Sequence, residues 1–336
     1  MVTVFCIKAF RPIAMKFGLV DRPSHRKIHA GEVPLVGGIS MFTGLTIGFI
    51  FILNVYNFSE ILPILLSLLI VVVVGMLDDL FDIKVYIRFF FQIIAGFIIV
   101  TFADTSLFSL GKIIGNNEVL LNDYAIIFTI FCMIGTINAL NFSDGVDGIA
   151  GSISLVTFSS IALLALINGK YSLLPVSLIF CAVLIGFLKF NLLPSHNKGK
   201  IFMGDSGSML LGLGISWLLI NGSQGDESRV FAPVTALWIF AIPLIDTMAI
   251  MLRRIFKGRS PFKPDREHLH HFFQYIGYSD RMSLMIIVLL SLMMAGVGIW
   301  AELNGVAEWK MFFSFMIIFL VYFLWITHAW RVTNRS

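Results

Sequence analysis

Repeated apolar runs constrain this chain more than any other sequence feature. Segments of about 20 residues with few charges follow one another along the 336 residues, and short polar stretches separate them. A run of that length crosses the hydrocarbon core of a bilayer as one α-helix, and helices satisfy their own backbone hydrogen bonds there. We therefore predict an all-α polytopic membrane protein with about 10–11 transmembrane helices and a single domain, 1–336.

Composition excludes a sizeable soluble domain. Hydrophobic residues make up 58% of the chain and charged residues 13%, whereas ordinary soluble domains are about 45–50% apolar. Residues 1–17 are a weak first span, because Lys8 and Arg11 interrupt the apolar run. The strong predicted spans are about 36–56, 60–77, 87–103, 123–140, 150–168, 171–190, 208–221, 230–251, 282–300 and 310–328. Residues 107–122, in a loop between spans, favour two short strands around a Gly-Asn-Asn turn.

The basic residues predict the orientation. Of the 24 lysines and arginines, 18 fall in alternate loops that would share one side of the membrane. Basic loops stay in the cytoplasm, so we predict an outside N-terminus and a cytoplasmic C-terminus. The net charge of +4 therefore reflects the orientation of the spans in the membrane. We predict no nucleic-acid partner. An anionic ligand at the basic loops stays open.

Two of the cytoplasmic loops are rich in basic residues and histidines. The first contains Arg26 and Lys27 in VDRPSHRKIHAGEVPLVGG; it is either an ordinary positive anchor or a cationic clamp for a phosphate. The second is the histidine loop, 252–281, in which six basic residues precede HLHHFF. Zinc is disfavoured there because no second ligand group stands at metal spacing, so a phosphate-binding loop fits better.

An aspartate pair ends the span at 60–77. Asp78 and Asp79 follow a helix that runs inward, and the dipole at its C-terminal end disfavours carboxylates. The pair therefore requires a compensating cation, either Mg²⁺ or a lysine. The alternative is a hydrated loop cap.

A second acidic motif, NALNFSDGVDG, stands at the next inward helix end. If the segment stays helical, Asp144 and Asp147 share one face, with Asn141 three residues earlier. Gly145 and Gly148 would let a ligand approach the backbone closely. The alternative is an ordinary turn rich in Asn, Asp and Gly.

Two further aspartates are isolated. Asp205 in FMGDSGS either caps the following helix or ligates a hard cation such as Mg²⁺. Asp246 lies inside a predicted span, where an ionisable residue is functional or is held by a structural hydrogen bond.

These loops, in this order, resemble the polyprenyl-phosphate N-acetylhexosamine-1-phosphate transferase superfamily, glycosyltransferase family 4. The resemblance runs from about Lys16 to Tyr278 and rests on VDRPSHRKIHAGEVPLVGG, the Asp78-Asp79 pair, NALNFSDGVDG, FMGDSGS and SPFKPDREHLHHFF. The Pro-Asp-Arg before His-Leu-His-His is similar to the N-acetylglucosamine branch and differs from the phospho-N-acetylmuramoyl-pentapeptide branch.

The resemblance implies a reaction at the cytoplasmic face of the bacterial cytoplasmic (inner) membrane. The phosphate of undecaprenyl phosphate would attack the β-phosphorus of UDP-GlcNAc, leaving GlcNAc-diphospho-undecaprenol and UMP. This would begin an O-antigen, common-antigen or other cell-envelope polysaccharide. Direct attack and a covalent aspartyl-phosphate step both stay open, as does a homodimer.

The resemblance also implies site residues. Asp205 would bind Mg²⁺, which Mn²⁺ could replace, and Phe202 could stack on uracil. The catalytic group would be Asp78, Asp79, Asp144 and Asp147. The substrate-binding group would be Arg26, Lys27, Asn138, Asn141, Phe202, Arg266, His268, His270 and His271.

Two alternatives remain. The first is the same reaction with another UDP-N-acetylhexosamine, including UDP-MurNAc-pentapeptide, because a few loop contacts decide the sugar. The second is a secondary transporter, which is disfavoured because transporters bind near the bilayer midplane, whereas the polar clusters here stand at helix ends.

Overall fold

The chain folds into a bundle of helices in a computed structural model that describes residues 1–22, 31–53, 58–194, 197–225, 229–261 and 267–333. The described residues form 13 α-helices: α1 (Val2–Phe17), α2 (Gly37–Phe51), α3 (Phe58–Phe81), α4 (Val85–Phe102), α5 (Ala125–Ser143), α6 (Ile149–Ile167), α7 (Leu174–Asn191), α8 (Gly204–Ser223), α9 (Pro233–Ile239), α10 (Ala241–Phe256), α11 (Leu269–Tyr275), α12 (Asp280–Leu303) and α13 (Glu308–Thr333). Two short antiparallel strands, β1 (Val20–Asp21) and β2 (Val33–Pro34), pair Val20 with Pro34.

Seven of the described helices are long and apolar enough to cross a membrane, which confirms a multi-pass all-α membrane protein. They are α3, α4, α5 with the 3₁₀ turn before it, α6, α7, α12 and α13. The predicted span at 230–251 is two helices, α9 and α10, bent by 84° at Phe240, and would be an eighth crossing if counted as one. An unbroken helix over 230–251 is therefore the wrong prediction. The orientation stays a prediction.

The remaining predicted spans differ from these seven in length or polarity. α2 has 15 residues and counts as a shorter apolar helix. α8 is helical over the predicted span at 208–221 but contains several glycines and serines. Nearly all of α8 is buried by the other helices, so its surroundings are protein, and a helix inside a bundle does not require an apolar surface all round.

Close packing of glycines fixes the start of α8 against its neighbours. A side chain at Gly75 of α3 would collide with the backbone of Ser206. On the α2 side, the Gly37 amide donates to the Phe202 carbonyl at 3.1 Å, and the Phe202 amide donates to Pro34 at 2.9 Å. The first turn of α8 is therefore held between α2 and α3.

The loop at 107–122 does not form the two predicted strands. The structure has isolated backbone pairs there, Ser109 with Leu120 and Ile114 with Asn117. Backbone bonds join its two halves, from the Leu110 amide to the Val119 carbonyl at 2.9 Å and from the Leu121 amide to the Phe108 carbonyl at 2.8 Å, and the Gln224 Oε1 accepts the Phe108 amide at 3.0 Å. Side-chain anchoring thus accompanies partial backbone pairing, and the two strands predicted around the Gly-Asn-Asn turn do not form.

Candidate active site

Aspartates from separate helix ends meet at one end of the bundle. Asp78 and Asp79 lie in the last turn of α3, and Asp205 lies in the first turn of α8. The Asp79 Oδ1 accepts the backbone N–H of Asp205 at 2.9 Å, and its Oδ2 accepts that of Ser206 at 3.4 Å. The first backbone N–H groups of a helix have no acceptor within that helix. Asp79, which lies on α3, accepts two of these N–H groups at the start of α8. The prediction that Asp205 itself caps α8 is wrong.

Arg88 of α4 supplies the cation that the end of α3 requires. Its Nη1 lies 2.5 Å from the Asp78 Oδ2 and 3.7 Å from the Asp205 Oδ2. The predicted compensating cation was Mg²⁺ or a lysine, and the structure places an arginine there. Arg88 is not among the predicted site residues, although it stands only ten positions after Asp78.

Asn141 orients Asp205. Its Nδ2 donates to the Asp205 Oδ1 at 2.6 Å and to the Ser208 Oγ at 2.8 Å, so one turn of α5 joins the first turn of α8. Asn138 points elsewhere: its Nδ2 donates to the Gln92 Oε1 at 2.9 Å, inside the bundle. The structure therefore brings Asn141 to the aspartates and leaves Asn138 in a contact between α4 and α5.

Asp144 lies beyond the helix that was expected to continue through it. α5 ends at Ser143, and Asp144 is the C-cap residue with φ −82° and ψ 39°. The predicted shared helical face with Asp147 is therefore wrong. Burial raises the pKa of Asp144 well above its ordinary value, and the charges of Asp205, Asp147 and Asp79 raise it further.

Lys200 pairs with Asp147 on the other side of this turn. The Lys200 Nζ lies 2.5 Å from the Asp147 Oδ2 and 2.9 Å from the Leu193 carbonyl oxygen. The same ammonium lies 5.7 Å from the centre of the Phe202 ring. The motifs do not single out Lys200, although it stands two residues before Phe202. The predicted stacking residue and a buried cation are thus neighbours.

The three histidines of the histidine loop lie against the acidic turn, the segment after α5 that carries Asp144 and Asp147. His268 and His270 stack with nearly parallel rings, 6.0 Å between centroids, and His270 and His271 are 4.1 Å apart. Burial lowers the pKa of His270 well below its ordinary value, and the neighbouring His271 and His268 lower it further. The histidine loop thus contains a short helix, α11, and packs against Phe142 and Gly145 on either side of Asp144.

Gly145 serves a protein contact in the structure. A side chain at Gly145 would collide with the Nε2 of His270, and one at Gly148 would collide with Leu192. We predicted that these glycines let a ligand approach the backbone. In the structure they let side chains of the protein itself pack there. Arg26, Lys27 and Arg266 lie outside the described residues, and their substrate contacts stay predictions.

The resulting aspartate cluster comprises Asp78, Asp79, Asp144, Asp147 and Asp205, so five carboxyl groups lie beside two paired cations, Arg88 and Lys200. Among the described residues, no three His, Cys, Asp or Glu side chains form a ready metal cage. Mg²⁺ does not require one, because it commonly uses one or two carboxylates plus substrate phosphates. The Asp205 side chain is 34% exposed and that of Asp78 only 4%, so Asp205 is the more accessible ligand for a hard cation.

Comparisons with known proteins show the family of the chain. The family described as glycosyl transferase family 4 matches residues 61–223, which contain the whole aspartate cluster. Three curated relatives carry the name undecaprenyl-phosphate alpha-N-acetylglucosaminyl 1-phosphate transferase. The protein of Escherichia coli O157:H7 is 40% identical over 325 residues, 96% of this chain and 88% of that protein. That of Salmonella typhi is 40% identical over 333 residues, 99% of this chain and 90% of that protein. That of Haemophilus influenzae is 40% identical over 325 residues, 96% of this chain and 91% of that protein.

Proposed function

The chain belongs to glycosyl transferase family 4, and from that premise we propose that it transfers GlcNAc-1-phosphate from UDP-GlcNAc to undecaprenyl phosphate. The products are GlcNAc-diphospho-undecaprenol and UMP. The convergence of the aspartate cluster from α3, α5 and α8 at one end of a membrane bundle carries the proposal. The acceptor follows from the names of relatives that align over nearly the whole chain.

The site suits phosphoryl transfer because that reaction depends chiefly on positioning and charge neutralisation. An oxygen of the lipid phosphate forms a bond to the β-phosphorus. The bond from the β-phosphorus to the oxygen bridging the two phosphates breaks, and UMP leaves with that oxygen. The Arg88 guanidinium holds Asp78 and faces Asp205, so the cluster presents a fixed array of charges rather than flexible side chains.

We propose that Asp205 binds Mg²⁺, for which Mn²⁺ can substitute. When bound, the ion would neutralise charge on the transferring phosphates. Asn141 holds one oxygen of Asp205, which leaves the other oxygen, near Arg88, directed at the cluster. The excess of carboxylates over paired cations supports a cation of this kind.

The nucleotide-sugar would lie between Phe202 and the histidines. Phe202 and Lys200 are adjacent, so one offers a ring for the uracil and the other a positive charge. Neutral His270, with Arg266, would contact the pyrophosphate and the sugar. The active site would face the cytoplasm at the bacterial inner membrane, and the product would begin an O-antigen, common-antigen or other envelope polysaccharide.

Lipid labelling tests this proposal. Purified protein is incubated with undecaprenyl phosphate, Mg²⁺ and a UDP-sugar labelled in the sugar: UDP-GlcNAc, UDP-GalNAc or UDP-MurNAc-pentapeptide. We expect UDP-GlcNAc alone to label the lipid, and EDTA to abolish the labelling. Labelling from another sugar would keep the reaction and change the donor, whereas no labelling from any of them would refute the proposed reaction.

A further inference from the structure

We propose that Asp246 and Tyr322 are positioning residues that hold the His268 ring in one orientation and one tautomer beside the aspartate cluster. Tyr322 lies on α13, the last helix of the bundle, and Asp246 lies on α10. Neither belongs to the aspartate cluster. The effect on catalysis rests on the proposed function, whereas the orientation and tautomer of His268 do not.

Asp246 is a buried carboxylate that hydrogen-bonds to the histidine loop and to α13. Its Oδ2 lies 2.9 Å from the His268 Nδ1. Its Oδ1 accepts the Leu269 backbone N–H at 3.2 Å and the Tyr322 hydroxyl at 2.6 Å. An ionisable side chain inside a span is costly unless it is paired, and these donors hold both carboxylate oxygens in place.

The carboxylate selects the tautomer of His268. A neutral imidazole donates through one nitrogen and accepts through the other. Since the Nδ1 faces a carboxylate, the Nδ1 carries the proton, and the Nε2 lies at the opposite edge of the ring as an acceptor. The Tyr322 hydroxyl acts one step further away, because it prevents the Asp246 carboxylate from turning.

His268 transmits this constraint to the acidic turn. Its ring lies 5.6 Å from that of Phe142, two residues before Asp144. It also stacks parallel to His270, whose Nε2 abuts Gly145 on the other side of Asp144. A rotated His268 would therefore displace contacts on both sides of Asp144. The contacts run from α13 through α10 and the histidine loop to the cluster.

A solely structural role would differ in a measurable way. If Asp246 only tied α11 to α10, its loss would lower stability whether or not His268 were present. If it acts through His268, its loss has no further effect on turnover once His268 has been removed, because the two substitutions share one contact. Double substitutions separate these roles.

The experiment uses full-length Asp246→Asn and Tyr322→Phe, each alone and combined with His268→Ala. Exposed residues provide matched controls, Asp123→Asn and Tyr171→Phe. Nitrogen NMR of protein labelled with ¹⁵N-histidine reports the His268 tautomer, and its signal is assigned by its absence in His268→Gln. Transfer kinetics with UDP-GlcNAc and undecaprenyl phosphate report turnover.

We expect the Nδ1-protonated tautomer of His268 in the wild type and its loss in Asp246→Asn. We expect kcat/KM to fall about tenfold to a hundredfold in Asp246→Asn and about twofold to tenfold in Tyr322→Phe, which loses one hydrogen bond. Neither should reduce turnover further in the His268→Ala protein. The controls should match the wild type.

An unchanged His268 tautomer in Asp246→Asn would overturn the inference, as would the same fold-loss of turnover with and without His268. If the wild type transferred no sugar phosphate at all, the proposed function would fail instead. The tautomer measurement would then still decide whether Asp246 positions His268.

Discussion

Asp205 is the residue on which a metal role depends most directly. Its carboxylate is more exposed than that of Asp78 and is oriented by Asn141. Asp205→Asn keeps an oxygen for the Asn141 amide but removes the charge. We expect transfer at saturating Mg²⁺ to fall by at least about 10²-fold, with little change in the melting temperature.

The matched control for Asp205 is Asp123→Asn, at an exposed position outside the cluster. It should retain wild-type transfer. Near-native turnover by Asp205→Asn in the same Mg²⁺ titration would remove Asp205 from the metal role.

A substitution at Gly145 tests the contact between the histidine loop and the acidic turn. Gly145→Ala places a methyl group against the His270 Nε2, and the buried His270 ring has to move. We expect a loss of transfer of about 10²-fold, the effect of a misplacement near 1 Å in a reaction that depends on positioning. The measurement is kcat/KM for UDP-GlcNAc.

Gly135→Ala on α5, the helix that ends just before this turn, is the control for Gly145. Open space surrounds Gly135, so the alanine should preserve activity and favour the helix by about 1 kcal/mol. Equal activity of the two variants would show that the His270 contact has no role in catalysis.

At the scale of single elements, the approach of α3 to α8 positions Asp79 and Asp205. Gly75→Ala would force a methyl group into the backbone at Asp205 and Ser206, which cannot yield as a flexible side chain would. We expect a loss of about 1–3 kcal/mol in the free energy of unfolding, together with a loss of transfer.

The control for Gly75 is Gly96→Ala on α4, where the new methyl group would meet side chains of Ile130 and Met133 at 3.5 Å, an ordinary contact. Chemical denaturation of the two proteins in detergent supplies the comparison. A Gly75→Ala protein as stable and active as Gly96→Ala would contradict the tight packing of α3 on α8.

Apolar runs predict the existence of these elements well, because hydropathy is a local property of the sequence. The span predicted at 60–77 is α3, and the span at 87–103 is α4, with ends that differ by a few residues. The bend at Phe240 escaped prediction, since apolar residues continue through it without interruption. Hydropathy specifies that a segment is buried in lipid or protein, but not that it stays straight.

The aspartates of the site were equally predictable, while their partners were not. Asp79 caps a helix that begins 125 residues later in the chain, and Tyr322 reaches Asp246 from 76 residues away. No local pattern encodes such contacts, because they depend on which helices become neighbours. Arg88 and Lys200 were likewise unassigned, since a cation in a cytoplasmic loop already satisfies the topology rule.

At the scale of the whole molecule, the charge of the aspartate cluster makes the stability of the fold depend on pH and on metal binding. Because the fold raises the pKa of Asp144, the metal-free folded protein binds more protons than the unfolded chain above the ordinary carboxyl pKa of about 4. Its stability therefore falls as the pH rises through the raised pKa. Asp144→Asn removes this contribution.

We expect Asp144→Asn in EDTA to gain stability relative to the wild type as the pH rises from about 5 to about 8, because only the wild type loses the raised-pKa contribution. Addition of Mg²⁺ should restore the stability of the wild type but should not change the stability of the variant. Melting temperatures across this range, with EDTA or Mg²⁺, provide the test. A constant difference between the two proteins would show that Asp144 does not titrate with the fold.

The most direct test of the reaction follows the β-phosphate of the donor. UDP-GlcNAc labelled with ³²P at the β-phosphorus is mixed with undecaprenyl phosphate, Mg²⁺ and the purified protein. We expect the label to enter the lipid phase, with one unlabelled UMP released for each labelled lipid formed. Label that stays in water-soluble UDP while the sugar alone reaches the lipid would contradict sugar-phosphate transfer at the aspartate cluster.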